Sequence, residues 1–268
     1  MRESLSQLTT IEVSWPDPEV AVATLNRPDR LNSMTDVMFG ELETLARAVS
    51  DDDVARVLVI TGAGRAFCAG FDLEAAATLP DMAPLEFLDL QERAARSLAA
   101  LRMMRQPVIA AINGAAAGGG LSLALTCDIR LGSPAAKFNA AFVKIGLSAG
   151  DLGASWFLPR IVGPGVSAEF VYTGRTMGAD EAFRVGLLNS LHEDVVAAAL
   201  TLADQIRANS PGGVQLSKRA LHANQEISSY AAALELENRG QALLSQGDDM
   251  SEALLAIRDK RAPKFTGR

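Results

Sequence analysis

Residues 107–128 read PVIAAINGAAAGGGLSLALTCD, and the fold turns on this stretch. The apolar run 108–112 has the length and character of a buried strand. Asn113 and Gly114 then turn the chain, and Ala115, Ala116 and Ala117 lead to Gly118, Gly119 and Gly120. Leu121, Leu123, Ala124, Leu125 and Cys127 follow as a mostly apolar helix that ends near Asp128. Three glycines at the mouth of a buried helix cost backbone entropy, so their use needs a reason. Two reasons fit the residues. The missing side chains admit a ligand to the backbone, where the first amides of a helix have no internal partner and suit a developing oxyanion. Alternatively, they only let helix and strand pack closely.

Around this centre the chain has 268 residues, with 49% hydrophobic content and mean hydropathy of +0.14, ample for a sizeable core. Every apolar run is broken by glycine, asparagine or charge well short of the ~18 residues of a membrane span. The first residues, MRESLSQLTTIEV, lack the apolar core of a secretory signal. Cys68 and Cys127 have neither a disulfide framework nor metal-ligand spacing. They read as small buried hydrophobes of a reducing cytosol, so the expected location is the cytoplasm. Net charge of −7 argues against nucleic acid and anionic membranes as partners. With only His192 and His222, a multi-histidine metal site is excluded and no metal is expected.

In chain order, residues 11–25 alternate loosely and contain VAVATL, a good strand. A charged loop, Asn26-Arg27-Pro28-Asp29-Arg30, precedes a helix over 35–49, and Val57-Leu58-Val59-Ile60 is a buried strand. The Gly62-x-Gly64 after it resembles a dinucleotide fingerprint only superficially. Its third glycine would fall at Phe67, and no helix starts behind Gly64. A long helix over 82–105 leads to the glycine stretch. Strand-helix units thus come first, and the last third is helical throughout.

Four stretches together resemble the crotonase, or enoyl-CoA hydratase/isomerase, superfamily. They are Asn26-Arg27-Pro28 with Leu31-Asn32; ITGAGRAFCAGFDL; PVIAAINGAAAGGGLSLALTCDIRL; and IGLSAGDLGASWFLPRIVG followed by YTGRTMGADEAFRVGLLNSL. The resemblance implies an α/β fold with a crotonase-like ββα spiral core over residues 1–195, which would bind acyl-CoA. A helical trimerisation region would follow over 196–268. It also implies a homotrimer or dimer of trimers, and an acyl-CoA thioester as substrate, with no cofactor beyond that coenzyme A. By the same resemblance, the backbone amides of Phe71 and Gly119 would bind the thioester oxygen. Fixed amide dipoles suit this task because they do not titrate and need little reorganisation. Coenzyme A would lie against Arg27, Arg30 and Leu31 on one loop and Ala66, Ala69, Gly70, Asp72 and Leu73 on another. The two arginines are candidates for its phosphates, against a plain reading as solvated loop residues. Lys264 and Phe265 would reach a neighbouring subunit's coenzyme A, unless the tail is simply frayed.

One departure bears on the reaction. The hydratases of this family use two glutamates, and the matching positions here are Ser122 and Phe142. A serine hydroxyl can orient water, but Phe142 has no proton to exchange. Asp151 is the alternative acid/base, since related isomerases place an acid in this loop, although here one extra residue separates it from Gly146. A carboxylate in an apolar pocket gains proton affinity, and one such group suffices to move a proton between two carbons. The sequence therefore favours double-bond isomerisation. The alternatives are weak hydration, a silent acyl-CoA-binding protein, and Asp151 serving only as a turn residue or as the cap of the helix that follows.

Overall fold

The structure, a computed structural model, describes residues 2–267. A short α1 (Arg2–Leu5) precedes the antiparallel hairpin β1 (Ile11–Asp17) and β2 (Val20–Leu25), then α2 (Asp36–Ser50). Three strand-strand-helix turns follow. They are β3 (Val57–Gly62) and β4 (Ala66–Cys68) with α3 (Leu73–Ala76) and α4 (Pro84–Met103); β5 (Val108–Ile112) and β6 (Ala115–Ala117) with α5 (Gly119–Thr126); and β7 (Ile129–Gly132) and β8 (Lys137–Asn139) with α6 (Ala154–Ile161) and α7 (Pro164–Thr173). The chain continues through β9 (Thr176–Gly178), α8 (Ala179–Arg184) and β10 (Ser190–Leu191) to α9 (Val195–Arg207), α10 (Pro211–Asn224), α11 (Tyr230–Leu244) and α12 (Asp248–Asp259).

In each turn the first strand joins a six-stranded sheet, ordered β1-β2-β3-β5-β7-β10, and the second joins a four-stranded sheet, ordered β4-β6-β8-β9. The pairs β3–β5, β5–β7, β4–β6 and β6–β8 are all parallel, so each turn advances both sheets by one strand. This is the expected ββα spiral. β5 lies at its centre and is buried on both faces, as a nearly unbroken apolar strand must be. Ala110 and Ile112 join the inner core with Leu58, Ile60, Leu42 and Leu45. Ile109 and Ala111 face the other way, against Val57, Val59, Ala199 and Ala203.

That second cluster changes where the core ends. Val195, Ala199 and Ala203 of α9 cover the outer face of the large sheet, so α9 packs as part of the spiral although the sequence groups it with the helical region after residue 195. The next helix, α10, is fastened by charge. Asp128, just past α5, accepts the β5 amide of Val108 at 2.7 Å and pairs with Lys218 and His222 of α10, both at 2.8 Å. Burial pushes the Asp128 carboxyl up, but His222 and Lys218 outweigh it and hold it below the usual range. The closing residues are not frayed: Glu252 accepts the amide of Lys264, and Asp249 accepts those of Thr266 and Gly267.

The glycine stretch shows how tightly the layers meet. A Cβ on Gly120 would lie 2.0 Å from the carbonyl oxygen of Cys68, at the end of β4. Backbone cannot yield at that distance. Gly40, on the exposed face of α2, has nothing within 4 Å of its Cβ position. Gly120→Ala is therefore expected to lower stability by about 3 kcal/mol or more. Gly40→Ala should raise it by about 0.5–1 kcal/mol. Urea midpoints of the two variants, compared with wild type, check this contrast.

Candidate active site

Two loops are stitched together at the mouth of the spiral. Leu31 and Asn32 both adopt left-handed backbone, with φ of 50° and 56°, an uncommon conformation that must be held by its surroundings. Asn32 does the holding. Fully buried, it donates from its side-chain amide to the carbonyls of Ala63 (2.9 Å) and Ala66 (2.8 Å) and accepts the amide of Arg27. The amide of Ala69 bonds to the carbonyl of Leu31, and Met34 and Phe71 form a parallel bridge. The loops holding Arg27, Arg30 and Leu31 and Ala66, Ala69, Gly70, Asp72 and Leu73 therefore lie side by side.

The two arginines differ in role. Arg27 turns inward, 3.0 Å from Asp72 and bonded to the carbonyl of Ser33. Asp72 is buried. Hydrogen bonds from Ser33 and then Arg27 hold its carboxyl below the usual range despite that burial, while its other oxygen caps α3 through the amide of Glu74. Arg27 is thus neither a solvated loop residue nor a free cation. Arg30 is the exposed one, paired at 2.6 Å with an equally exposed Glu74.

Behind this rim, Gly70 adopts a φ of +94°, and a Cβ there would meet the carbonyl oxygen of Ala117 at 2.6 Å and the amide nitrogen of Gly119 at 3.2 Å. The end of the first loop is thereby pressed against the start of α5. The neighbouring amides of Phe71 and Gly119 are brought to one place, and neither has a protein acceptor among the described residues. Each of the three glycines has its own cause. Gly118 needs φ +50° with ψ −122°, Gly119 keeps its amide open beside Met34 and Leu152, and Gly120 must clear Cys68. Close packing and an accessible amide are both present, one residue apart.

These amides open on a cavity of about 460 Å³ between α4, the loop after β8 and the start of α5. Asp151 lines it together with Phe71, Gly119 and Phe142. Its carboxylate has no hydrogen bond or ion pair among the described residues, and burial alone pushes it up to about 6. The capping alternative is not realised. Gly153 is the N-cap of α6, and Ala154 bonds to the backbone carbonyl of Asp151, not to its side chain. Leu152 and Gly153, both left-handed at φ 47° and 84°, shape the turn that carries the acid. Ser122 lies behind this turn, fully buried, with its hydroxyl donating to the Asp151 carbonyl at 3.3 Å. It does not line the cavity, so the sequence's suggestion that it orients water there is not met. Phe142, at the second glutamate position, does line it.

A larger cavity of about 1000 Å³ lies elsewhere, between α10 and the spiral. Asp128 pairs there with Lys218 and with His222, and the buried Arg130 donates to the carbonyls of Leu187 and Cys127, so these charges clamp the helix and the sheet. No helix among the described residues is long and apolar enough to cross a membrane.

Two contributors were hidden from sequence reasoning. Met34 pairs with Phe71 and lines the cavity, and Gln91 lines it from α4. Met34 follows the Asn32 motif closely enough to be inferred from it, whereas which face of α4 meets the cavity depends on packing.

The spiral thus carries a cavity lined by two open amides and one solitary, half-buried acid. The family model for enoyl-CoA hydratase/isomerase matches residues 17–268. The chain is 40% identical to "Probable enoyl-CoA hydratase EchA12" of Mycobacterium tuberculosis, covering 97% of this chain and 94% of that protein. It is 36% identical to the 1,2-epoxyphenylacetyl-CoA isomerase of Escherichia coli K12, covering 96% and 98%. The crystal structure of an enoyl-CoA hydratase from Bacillus anthracis superposes with a TM-score of 0.92 at 31% identity, covering 97% and 100%. The chain belongs to the enoyl-CoA hydratase/isomerase family, the crotonase superfamily.

An unpaired acid whose affinity is raised by burial weakens the fold once it ionises. Its contribution is most favourable below the free carboxyl pKa of about 4 and is lost as pH rises through about 6. Asp151→Asn is therefore expected to stabilise the protein at pH 8 by on the order of 2 kcal/mol, with the gain disappearing toward pH 4. Thermal melts of the two proteins across this range measure it.

Proposed function

We propose that this chain is an enoyl-CoA isomerase that moves a double bond through a thioester dienolate, with Asp151 as the single acid/base. The observation that carries this reading is the isolation of that acid. It lines the cavity beside the amides of Phe71 and Gly119, and no other acidic side chain among the described residues does so. The steps follow from chemistry. Coenzyme A lies along the rim formed by the two loops, with Arg30 as the exposed cation for its phosphates. The thioester oxygen accepts hydrogen bonds from the Phe71 and Gly119 amides. The Asp151 carboxylate takes a proton from the carbon next to the thioester, and the electron pair spreads over the oxygen and the adjoining double bond. The same carboxyl then returns the proton two carbons further on. Removing one such oxyanion donor typically costs ~3 kcal/mol of transition-state stabilisation, so the amide pair carries much of the barrier lowering.

Hydration is the second reading, favoured by the names of several relatives. It needs a water held and activated opposite the acid, and here the candidate positions hold a buried serine and a phenylalanine. An isomerase also stands among the relatives, but its name gives an epoxide as substrate and not a migrating double bond. The exposed apolar side chains of the last two helices, Leu243, Leu254 and Ile257 among them, offer a face that a homotrimer or a dimer of trimers would cover.

Purified wild type and Asp151→Asn should be assayed on 3-enoyl- and 2-enoyl-CoA thioesters. Interconversion of the positional isomers that falls at least about 10³-fold in the variant is the expected result. The wild-type rate should fall as pH drops through about 6, where the base becomes protonated. Hydration that survives the substitution sinks the isomerase assignment.

A further inference from the structure

α4 turns one stripe to the cavity: Phe87, Leu90, Gln91 and Ala94, at the i, i+3, i+4, i+7 spacing of a single helical face. Three of the four are apolar, as the rest of the wall is. Phe39 and Phe71 stack with ring centres 6.2 Å apart and planes 3° apart, and Phe142 closes the same space. Among the described residues, only two polar side chains line the cavity, Asp151 and Gln91. The acid is used by the reaction. The amide of Gln91, half-buried, has no hydrogen-bond partner among the described residues. Proton transfer needs nothing from a neutral amide, and a purely hydrocarbon acyl chain would leave its donors and acceptor unmet once water is displaced.

We propose that Gln91 is a specificity-determining residue, and that the site takes an acyl-CoA whose apolar acyl group carries an oxygen remote from the thioester. A hydroxyl, keto or ether oxygen would accept the Gln91 amide hydrogen while the aromatic wall packs the hydrocarbon part. This rests on the reading of the cavity as the acyl pocket. A site built to bond a substrate oxygen rejects the analogue lacking it, because the protein's polar group is then buried unpaired. The cavity volume lies in the range usual for small-molecule pockets, so both parts have room.

The test is calorimetric binding of non-reacting saturated thioesters: octanoyl-CoA against its 5-, 6-, 7- and 8-hydroxy derivatives, with wild type, Gln91→Leu and Asp151→Asn. Wild type and Asp151→Asn should each bind at least one hydroxylated ligand about three- to ten-fold more tightly than octanoyl-CoA. Gln91→Leu should lose that preference and bind octanoyl-CoA at least as tightly as wild type does. The same rank order in wild type and Gln91→Leu overturns the role of Gln91 while leaving the acyl pocket in place. No binding of any thioester by any of the proteins overturns the pocket itself, and this proposal with it.

Discussion

The contact on which the site depends is the one between the end of β4 and the first turn of α5. Two backbones approach there more closely than any side chain allows: Gly120 against the Cys68 carbonyl, and Gly70 against Ala117 and Gly119. This contact belongs to the packing of one spiral turn on the next, since β4 and β6 are neighbours in the smaller sheet. The distance between the Phe71 and Gly119 amides is therefore set by the core and not by flexible loops. A pair of dipoles held this way need not reorganise as charge develops, which is the property electrostatic catalysis requires. The glycine cost at residues 118–120 is offset by the burial around it, with Leu121, Leu123 and Leu125 in the inner core.

Against that rigid frame, the treatment of carboxylates separates structure from chemistry. Glu41 is buried, yet Thr9 and Thr10 give it four hydrogen bonds and keep its carboxyl low. Asp52 is held down to about 2, chiefly by Arg2. Asp72 has Ser33 and Arg27, and Asp128 has His222 and Lys218. Each of these acids joins segments distant in the sequence. Among the described acids Asp151 alone is raised, with burial as the only cause. A fold that satisfies its other buried acids but leaves this one solitary is less stable for it, the pattern expected where proton transfer is needed.

Much of this was legible in the sequence. The VAVATL strand, the central strand and the glycine helix fall where apolar runs and glycines place them. Charge was harder to read. A sequence shows that Arg27 and Arg30 are cations three residues apart, but not that one turns inward to Asp72 while the other stays in water. Helix counting likewise groups α9 with the later helices, because an amphipathic pattern does not say which surface covers it. The apolar stripe of α9 finds the outer face of the large sheet, and that is decided by three dimensions. Ser122 is the subtlest case: its residue type permits a water ligand, and only its burial against the Asp151 carbonyl removes it from the cavity.

The family resemblance matches the second glutamate of the hydratases to Phe142, a residue that shapes the environment of Asp151. The edge of the Phe142 ring lies 3.9 Å from the Cβ position of Gly118, making the wall next to the oxyanion amides apolar. A carboxylate facing water would have a proton affinity near that of the free acid and would be a weak base at neutral pH. Facing phenylalanine and leucine instead, Asp151 is both drier and more basic. Drying also strengthens the two amide dipoles, since the field of an N–H group grows as the local dielectric falls. In the proposed reading a phenylalanine at position 142 disfavours hydration twice, by standing where a group that activates water would be and by narrowing the room for water itself. The same reading has it favour isomerisation, since the dry wall raises the affinity of Asp151 for the proton that this reaction would move.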